Sequence, residues 1–345
     1  MKYLLTYLKK YKAESILAPL FKMLEALFDL TVPLIVAKTI DVGIAGGDTK
    51  YILSRFALLL LMAALGLASS FTAQYFAARA AIGTSTGLRH DLLKTIQSFG
   101  FPELDRFGAS ALITRMTADV NQVQSGINMF LRLFLRSPFI VFGAMIMAFT
   151  INRSIALVFA AAIPILFVIV FGVMFLTKPQ YKKQQQQLDR VTRTARGNLE
   201  GVRVIRAFGT EARESKCFES ENAELAGIQL KAGRESALMN PLSYIVVNGG
   251  IILILWIGAA KVNGGVLLSG NVIALINYLS QILVELVKLA NLIVQLSKAV
   301  VSSGRIAQIL DTKPSMQYKS VTEDSGDTAL AFENVSLRYG GASEN

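Results

Sequence analysis

Long apolar runs alternate with polar segments along the chain, and this alternation predicts its main elements. Six runs approach or exceed the length of about twenty residues that a helix needs to cross a bilayer. They cover approximately residues 16–40, 51–78, 134–150, 155–176, 241–260 and 272–296. Only Asn152, Arg153 and Ser154 separate the third run from the fourth, which predicts an antiparallel hairpin. The pattern predicts an all-α polytopic membrane protein with six transmembrane helices.

The longest polar segment, residues 178–234, is strongly basic but keeps the spacing of a helix. Its apolar residues recur three or four positions apart. They include Leu188, Val191, Ala195, Leu199, Val202 and Ile205. We expect two cytoplasmic helices that continue from membrane spans and break near Phe208-Gly209-Thr210. A disordered polybasic loop is the alternative.

The other long polar segment, residues 79–131, has its clearest break at Gly100-Phe101-Pro102. Between the first two runs we expect a short outside loop at residues 41–48, and Asn263-Gly264-Gly265 predicts a turn between the last two. Residues 301–328 are polar and predict a linker. In residues 329–345 the apolar positions alternate, which predicts the first strands of a soluble domain.

Composition and charge agree with a membrane protein. The 345 residues are 53% hydrophobic and 17% charged, with a mean hydropathy of +0.48. The net charge of +11 comes from Lys and Arg between alternate spans, as the positive-inside rule requires, so it does not indicate a nucleic-acid partner. Residues 1–15 are basic, and we expect both termini in the cytoplasm. The single cysteine, Cys217, excludes an internal disulfide, and His90 lies in no metal-ligand pattern.

Polar side chains recur inside two predicted spans, where they are costly unless they face protein or water. Lys22, Glu25 and Asp29 lie on one face of the first span, and a second stripe follows the last span. We predict that these stripes line a water-filled substrate cavity, to which Asn248 of the fifth span is a weaker addition. The predicted cavity residues are Lys22, Glu25, Asp29, Asn248, Gln281, Glu285, Lys288, Asn291 and Gln295. The alternative is simple i,i+3 pairing of Lys22 with Glu25 and of Glu285 with Lys288.

Two sequence motifs resemble the intracellular loops of a known family. The first is FGFPELDRFGASALITRMTADVNQVQ, with Phe107, Gly108, Arg115 and Asp119 at matching positions. The second is NLEGVRVIRAFGTEARESKCF, which matches at Glu200, Ile205, Arg206, Phe208, Glu211 and Phe218. Over essentially its whole length the chain resembles the transmembrane half of an ATP-binding cassette (ABC) exporter of the bacterial multidrug type. The resemblance implies the type I exporter fold and a domain-swapped dimer.

The resemblance also implies two short coupling helices that sit in grooves of nucleotide-binding domains. The first comprises Phe101, Pro102, Glu103, Leu104, Asp105, Arg106 and Phe107. The second is expected within residues 207–214 and includes Ala207, Phe208, Gly209, Thr210 and Glu211. The alternative is a pair of exposed helical elbows without a partner.

The resemblance assigns ATP and Mg2+ to the complete transporter and assigns Tyr339 to stacking on adenine. The chain contains no G-x-x-x-x-G-K-[ST] loop, which would hold the phosphates. We therefore expect it to be part of a longer half-transporter and not to hydrolyse ATP or bind it tightly by itself. No residue is assigned to catalysis or to a metal site.

These observations give a functional hypothesis and an alternative from another class. The hypothesis is a cell-membrane subunit that pairs with a second half-transporter, as a homodimer or a heterodimer, and is surrounded by lipid. With ATP it would move lipophilic drugs, lipids or peptides out of the cytoplasm by alternating access. The alternative is a non-catalytic channel or regulatory module that binds a cytoplasmic partner.

Overall fold

A computed structural model describes residues 6–315 and 334–336, and within these residues the chain forms helices without a strand. The α-helices are α1 (Lys12–Lys38), α2 (Thr49–Gln97), α3 (Phe101–Phe107), α4 (Ala109–Thr114), α5 (Val120–Leu133), α6 (Arg136–Ile151), α7 (Arg153–Glu200), α8 (Val202–Ala207), α9 (Glu211–Ala237), α10 (Met239–Asn263) and α11 (Ser269–Leu310). Wide π-helical turns, Thr39–Ile44 and Arg115–Asp119, follow α1 and α4. The all-α prediction is confirmed.

Five helical stretches are long and apolar enough to cross a membrane. They are Thr49–Gln97, Ala109–Ile151, Arg153–Glu200, Glu211–Asn263 and Ser269–Leu310. Helix α1 is not among them, and Lys22, Glu25 and Asp29 all lie within it. A sixth span therefore stays a prediction.

The chain forms two compact units, each assembled from separate stretches of sequence. Unit 1 comprises Met1–Ala18, Gln74–Leu131 and Val294–Asn345, and unit 2 comprises Pro19–Ala73 and Arg132–Ile293. Since α2 and α11 run from one unit into the other, both units contain parts of the same helices.

Unit 2 has an apolar core in which α1, α6, α7, α10 and α11 meet. Phe159, Ile140 and Leu279 are fully buried in it. Tyr278 is buried as well, and its hydroxyl donates a hydrogen bond to the carbonyl oxygen of Leu30 over 2.5 Å. Such a partner removes most of the cost of burying a phenol, so α1 and α11 are fixed together.

The polar helices α7 and α9 of unit 2 pack side by side. The Gln187 amide donates to the backbone carbonyl of Glu221 over 3.2 Å, and the Thr194 hydroxyl donates to the Glu221 carboxylate over 2.7 Å. Val191 and Leu225 are buried. The basic segment is therefore helical, as the apolar spacing predicted, and the disordered alternative is wrong.

Unit 1 has its own core, formed by Leu88 and Leu92 of α2, Val123 of α5, and Ile306 and Ile309 of α11. The last residues of α11 belong to this core, which explains why the helix continues to Leu310. The predicted linker is therefore wrong at its start, since residues 301–310 are helical. The remainder of that linker and the predicted strands lie almost wholly outside the described residues.

Turns between helices are set by a few residues with specific backbone needs. Gly47 has φ +65°, and the Asp48 carboxylate then accepts the backbone N–H groups of Lys50 and Tyr51 at 3.0 Å, which starts α2. The predicted outside loop at residues 41–48 is therefore shorter than expected, because helical structure continues to Gly46. Asn152 alone separates α6 from α7, in agreement with the predicted hairpin.

Candidate functional site

The charged residues predicted inside the spans form one cluster in unit 2. Lys22 of α1 is 6% exposed, and its ammonium contacts the Glu25 carboxylate and donates to the Ser70 hydroxyl of α2 over 3.0 Å. On α11, the Lys288 ammonium contacts the Glu285 carboxylate at 2.8 Å, and Glu285 is 2% exposed. Both i,i+3 pairs anticipated as the alternative to a cavity are present.

Arg136, at the start of α6, joins the two pairs. One terminal nitrogen of its guanidinium donates to Glu285 over 2.7 Å, and the other donates to Asp29 over 2.8 Å. The second nitrogen also lies 3.8 Å from Glu25. The Ser137 hydroxyl donates to the other Glu285 oxygen over 2.9 Å. We call Lys22, Glu25, Asp29, Arg136, Glu285 and Lys288 the charge network.

The composition of the charge network explains how it is tolerated. Three cationic groups face three carboxylates, so its formal charge is zero. A buried ion must be paired and hydrogen-bonded, and Arg136 supplies that pairing through a planar guanidinium that reaches two carboxylates at once. In the structure the network therefore links α1, α6 and α11.

Arg136 was missed by the sequence reasoning. It is the single ionisable residue in the run of residues 134–150, so it forms no stripe and has no periodicity. The rule that a charge inside a span needs a partner does apply to it and is the signal that identifies it.

The remaining predicted cavity residues take no part in the charge network. Asn248 and Asn291 are exposed and Gln281 is half-buried in unit 2. Gln295 belongs to unit 1, where its amide oxygen accepts a hydrogen bond from Gln122 over 3.2 Å.

The first predicted coupling helix coincides with α3, and local residues explain its bounds. The Glu103 carboxylate accepts the backbone N–H of Gly100 over 2.8 Å, and Pro102 occupies the first turn, where it costs no hydrogen bond. Gly108, at φ +74°, ends the helix. Phe107 stacks on the buried Phe99 with ring centroids 5.9 Å apart, whereas Phe101 is 79% exposed.

The second short helix is α8, and its predicted position is wrong by about one turn and a half. It covers Val202–Ala207, whereas Phe208, Gly209 and Thr210 form the turn that follows and Glu211 begins α9. Gly209 has φ +58°, and the Thr210 N–H donates to the Ile205 carbonyl over 3.0 Å. These contacts close α8 early and leave Phe208 78% exposed.

Comparison with known proteins decides the family. The protein-family model named ABC transporter transmembrane region matches residues 15–286 of this chain. This chain belongs to that family. Its long helices and intervening short elbows are those of an ABC exporter transmembrane half.

Three relatives illustrate the match. An uncharacterized ABC transporter ATP-binding protein, YfiB of Bacillus subtilis, is 29% identical over 97% of this chain and 58% of its own length. A Mycobacterium tuberculosis protein of the same description is 29% identical over 89% of this chain and 53% of its own. The ATP-dependent lipid A-core flippase of Pseudomonas fluorescens is 25% identical over 82% and 47%. The chain thus spans about half the length of the relatives that it matches.

Unit 1 of this ABC transmembrane chain contains a second ion pair, which lies outside the predicted spans. Asp119 is 4% exposed, and its carboxylate accepts two hydrogen bonds from the Arg305 guanidinium and one from the Ser302 hydroxyl at 2.9 Å. The bonds from Arg305 hold the pKa of Asp119 below its usual value and raise that of Arg305. This pair attaches the end of α11 to the π-helical turn before α5.

The segment after α11 also contacts α3. The Ser315 hydroxyl donates to the Glu103 carboxylate over 2.8 Å, and this bond is the main reason that the pKa of Glu103 lies below its usual value. Since Glu103 also caps α3, one carboxylate holds both the short helix and the chain that follows α11.

Tyr339 lies outside the described residues, so its assignment to adenine stays a prediction. Among residues 6–315 and 334–336, no group of three or more His, Cys, Asp and Glu side chains is arranged to hold a metal ion.

Proposed function

We propose that this chain is the membrane-spanning part of an ATP-driven ABC exporter of the cell membrane, with both termini in the cytoplasm. It acts with a second half-transporter, and alternating access moves a lipophilic drug, lipid or peptide out of the cytoplasm. The lipid A-core flippase among the relatives supports a lipid as one of these substrate classes.

One observation carries the proposal beyond family membership. The short helices α3 and α8 each lie at an elbow of the chain, and the aromatic rings at the first residue of α3 and directly after α8 are each about four-fifths exposed. These rings belong to Phe101 at 79% and Phe208 at 78%. An exposed aromatic ring on a rigid elbow suits a partner pocket, because ring burial contributes strongly to association. Nucleotide-binding domains are the proposed partners.

ATP and Mg2+ would act in those domains, where nucleotide hydrolysis supplies the free energy for transport. In this chain, α3 and α8 would receive the resulting displacement and pass it into the long helices α2, α7 and α9. The charge network would keep α1, α6 and α11 of unit 2 together during that movement. The exposed polar residues Asn248 and Asn291 would contribute to the translocation path.

The test uses the complete gene product in inside-out vesicles. ATP should drive accumulation of at least one labelled probe from a panel containing a lipophilic cation, a phospholipid and a hydrophobic peptide. Phe101→Ala and Phe208→Ala should each reduce ATP-driven uptake several-fold. The matched control is Phe175→Ala, which removes a ring that is 65% exposed in the apolar part of α7 and should leave uptake near the wild-type rate.

Two results would overturn the proposal. One is an absence of ATP-driven accumulation for every probe in vesicles whose protein is folded. The other is nucleotide-independent conductance, which would favour the channel alternative.

A further inference from the structure

Unit 1 contains an open cleft of about 450 Å³ between α2, α5 and α11, lined by both amide and apolar side chains. We call it the amide cleft, because Gln122, Gln124 and Asn128 of α5 and Gln295 of α11 line it. The lining residues lie close in sequence to the predicted cytoplasmic ends of three spans. Ala78 ends the second span, Phe134 begins the third and Leu296 ends the last.

The amides of the cleft retain unused hydrogen-bonding capacity. Gln122 donates to the Gln295 oxygen over 3.2 Å, and Gln124 accepts from the Ser85 hydroxyl over 2.7 Å. Within the described part of the chain, no further bond is made by the Gln122 oxygen or by the amide nitrogens of Gln124 and Gln295. Asn128 is half-buried and also makes none there. The cleft therefore presents both donors and acceptors to an occupant.

The lining carries no charge among the residues that the structure describes. A cationic headgroup would find neither a carboxylate nor an aromatic ring in this lining, and an anionic headgroup would find no Lys or Arg. Desolvation of a charged group without a counter-charge is strongly unfavourable. An uncharged group that exchanges hydrogen bonds with amides avoids this desolvation penalty.

One wall of the amide cleft is apolar. Ala78, Ala81 and Ile82 of α2 and Met129 of α5 face the same space as the amides. An occupant with a polar end and an apolar part would match both walls, since the apolar contact contributes roughly 25 cal/mol per Å² buried.

We propose that the amide cleft binds the uncharged, amide- or hydroxyl-bearing headgroup of an amphiphile. This inference rests on the proposed function, because it names the chemical class of substrate that the transporter selects at the cytoplasmic ends of its spans. Gln122, Gln295 and Asn128 determine the specificity.

The test measures protection of a single cysteine and needs neither ATP nor transport. In the complete gene product, any further native cysteine and Cys217, which is exposed, are changed to Ser, and Ser125→Cys, at an exposed position in the cleft lining, is introduced. The membrane-embedded protein is labelled with a maleimide in the presence of three decyl amphiphiles below their micelle concentrations. These are N-decanoyl-N-methylglucamine, decyltrimethylammonium and decyl phosphate, which share one chain length and differ in headgroup charge.

N-decanoyl-N-methylglucamine should slow labelling about tenfold at ten times its half-maximal concentration, because protection follows 1 + [L]/Kd. The two charged amphiphiles should slow it less than twofold. Gln122→Leu with Gln295→Leu should abolish protection by the glucamide. Ser110→Cys in the same background lies on the exposed face of α4 and should label at one rate throughout, which excludes a direct effect of the amphiphiles or of the leucine changes on the maleimide reaction.

Equal protection by all three amphiphiles, or protection by none of them, would overturn the proposal. Protection that survives the double leucine change would overturn the assignment to the amides. If ATP-driven uptake is present while protection is absent, the exporter proposal stands and only the amide cleft is wrong.

Discussion

The two units each contain a buried carboxylate paired with an arginine, but the surroundings of the pairs differ. In unit 2, the side chain of Glu285 is 2% exposed and that of Arg136 is 10% exposed, and two helices, α1 and α11, contribute further charges. In unit 1, Asp119 is 6% exposed by its side chain, but Arg305 is 45% exposed. Solvent screens the arginine of the unit 1 pair. Breaking the ion pair should therefore cost much more stability in unit 2 than in unit 1.

The comparison also separates two roles of a salt bridge. In unit 2 the network compensates charges that the spans already contain, since Glu25, Asp29 and Glu285 would otherwise repel one another, and the buried Glu285 would remain desolvated and unpaired. In unit 1 the pair joins two segments of the chain, the end of α11 and the turn before α5. The first role concerns the cost of burial, and the second concerns the position of a helix end.

The largest effect is expected for Arg136→Met. It leaves Glu285 with Lys288 and Ser137 but removes the bonds to both Glu285 and Asp29, and loss of one partner from a buried ion pair costs about 3–5 kcal/mol. Reversible unfolding in mixed micelles should show this loss of stability. Arg136→Met combined with Glu285→Met restores a neutral network and should recover most of it. If Arg136→Met alone lowers stability by less than about 1 kcal/mol, the burial argument is contradicted.

A smaller effect is expected for Asp119→Asn. The amide keeps the shape of the side chain but loses the charge-assisted bonds from Arg305, and the half-exposed guanidinium limits the cost to about 1–2 kcal/mol. The same unfolding assay measures it. Glu14→Gln is the matched control, because Glu14 pairs at 3.4 Å with an Arg79 that is 57% exposed, and less than about 1 kcal/mol should be lost there. Equal losses in the two variants would remove the distinction between them.

The stability contributed by the Asp119–Arg305 pair should depend on pH only in the acidic range. Its folded-state pKa is lowered by Arg305, so its stabilisation is fully present above the unfolded value of 3.8 and is lost as pH falls through the still lower folded value. The gap in melting temperature between wild type and Asp119→Asn should therefore be constant from neutral pH to about 5 and should narrow below about 4. A gap that narrows already between pH 7 and 5 would contradict this assignment.

The smallest effect is expected for Glu103→Gln on α3. The Glu103 side chain lies at the surface and is only partly buried, so we expect no resolvable change in the global melting temperature. Local opening should nevertheless increase, because the change removes the charged acceptor of the Gly100 N–H and the Ser315 hydroxyl. Amide hydrogen exchange at Gly100 and Leu104 should accelerate, while that at Val123 of the unit 1 core should not. Unchanged exchange at Gly100 would show that the cap does not hold α3.

Much of the helical framework followed from the sequence, because apolar periodicity and breaks at Gly and Pro are local properties. Gly100, Pro102 and Gly108 set α3 where the sequence placed it. The second elbow was misplaced because the bond from Thr210 to Ile205 closes the chain before Phe208, and residue types near a turn do not fix its register. The linker was begun too early because Ile306 and Ile309, which are buried in unit 1, extend α11 through a polar stretch.

The same distinction between local pattern and long-range contact applies to the candidate site. The sequence by itself determined a helical membrane protein of the ABC exporter kind, the charged stripe of α1, and the i,i+3 pairs, since these depend on composition and on spacing within one helix. Only the tertiary structure decided that Arg136 joins Glu285 to Asp29, that Asp119 meets Arg305, and that Gln122 meets Gln295. These partners lie more than a hundred positions apart, and their contact depends on how separate helices pack, which no pattern within a single segment specifies.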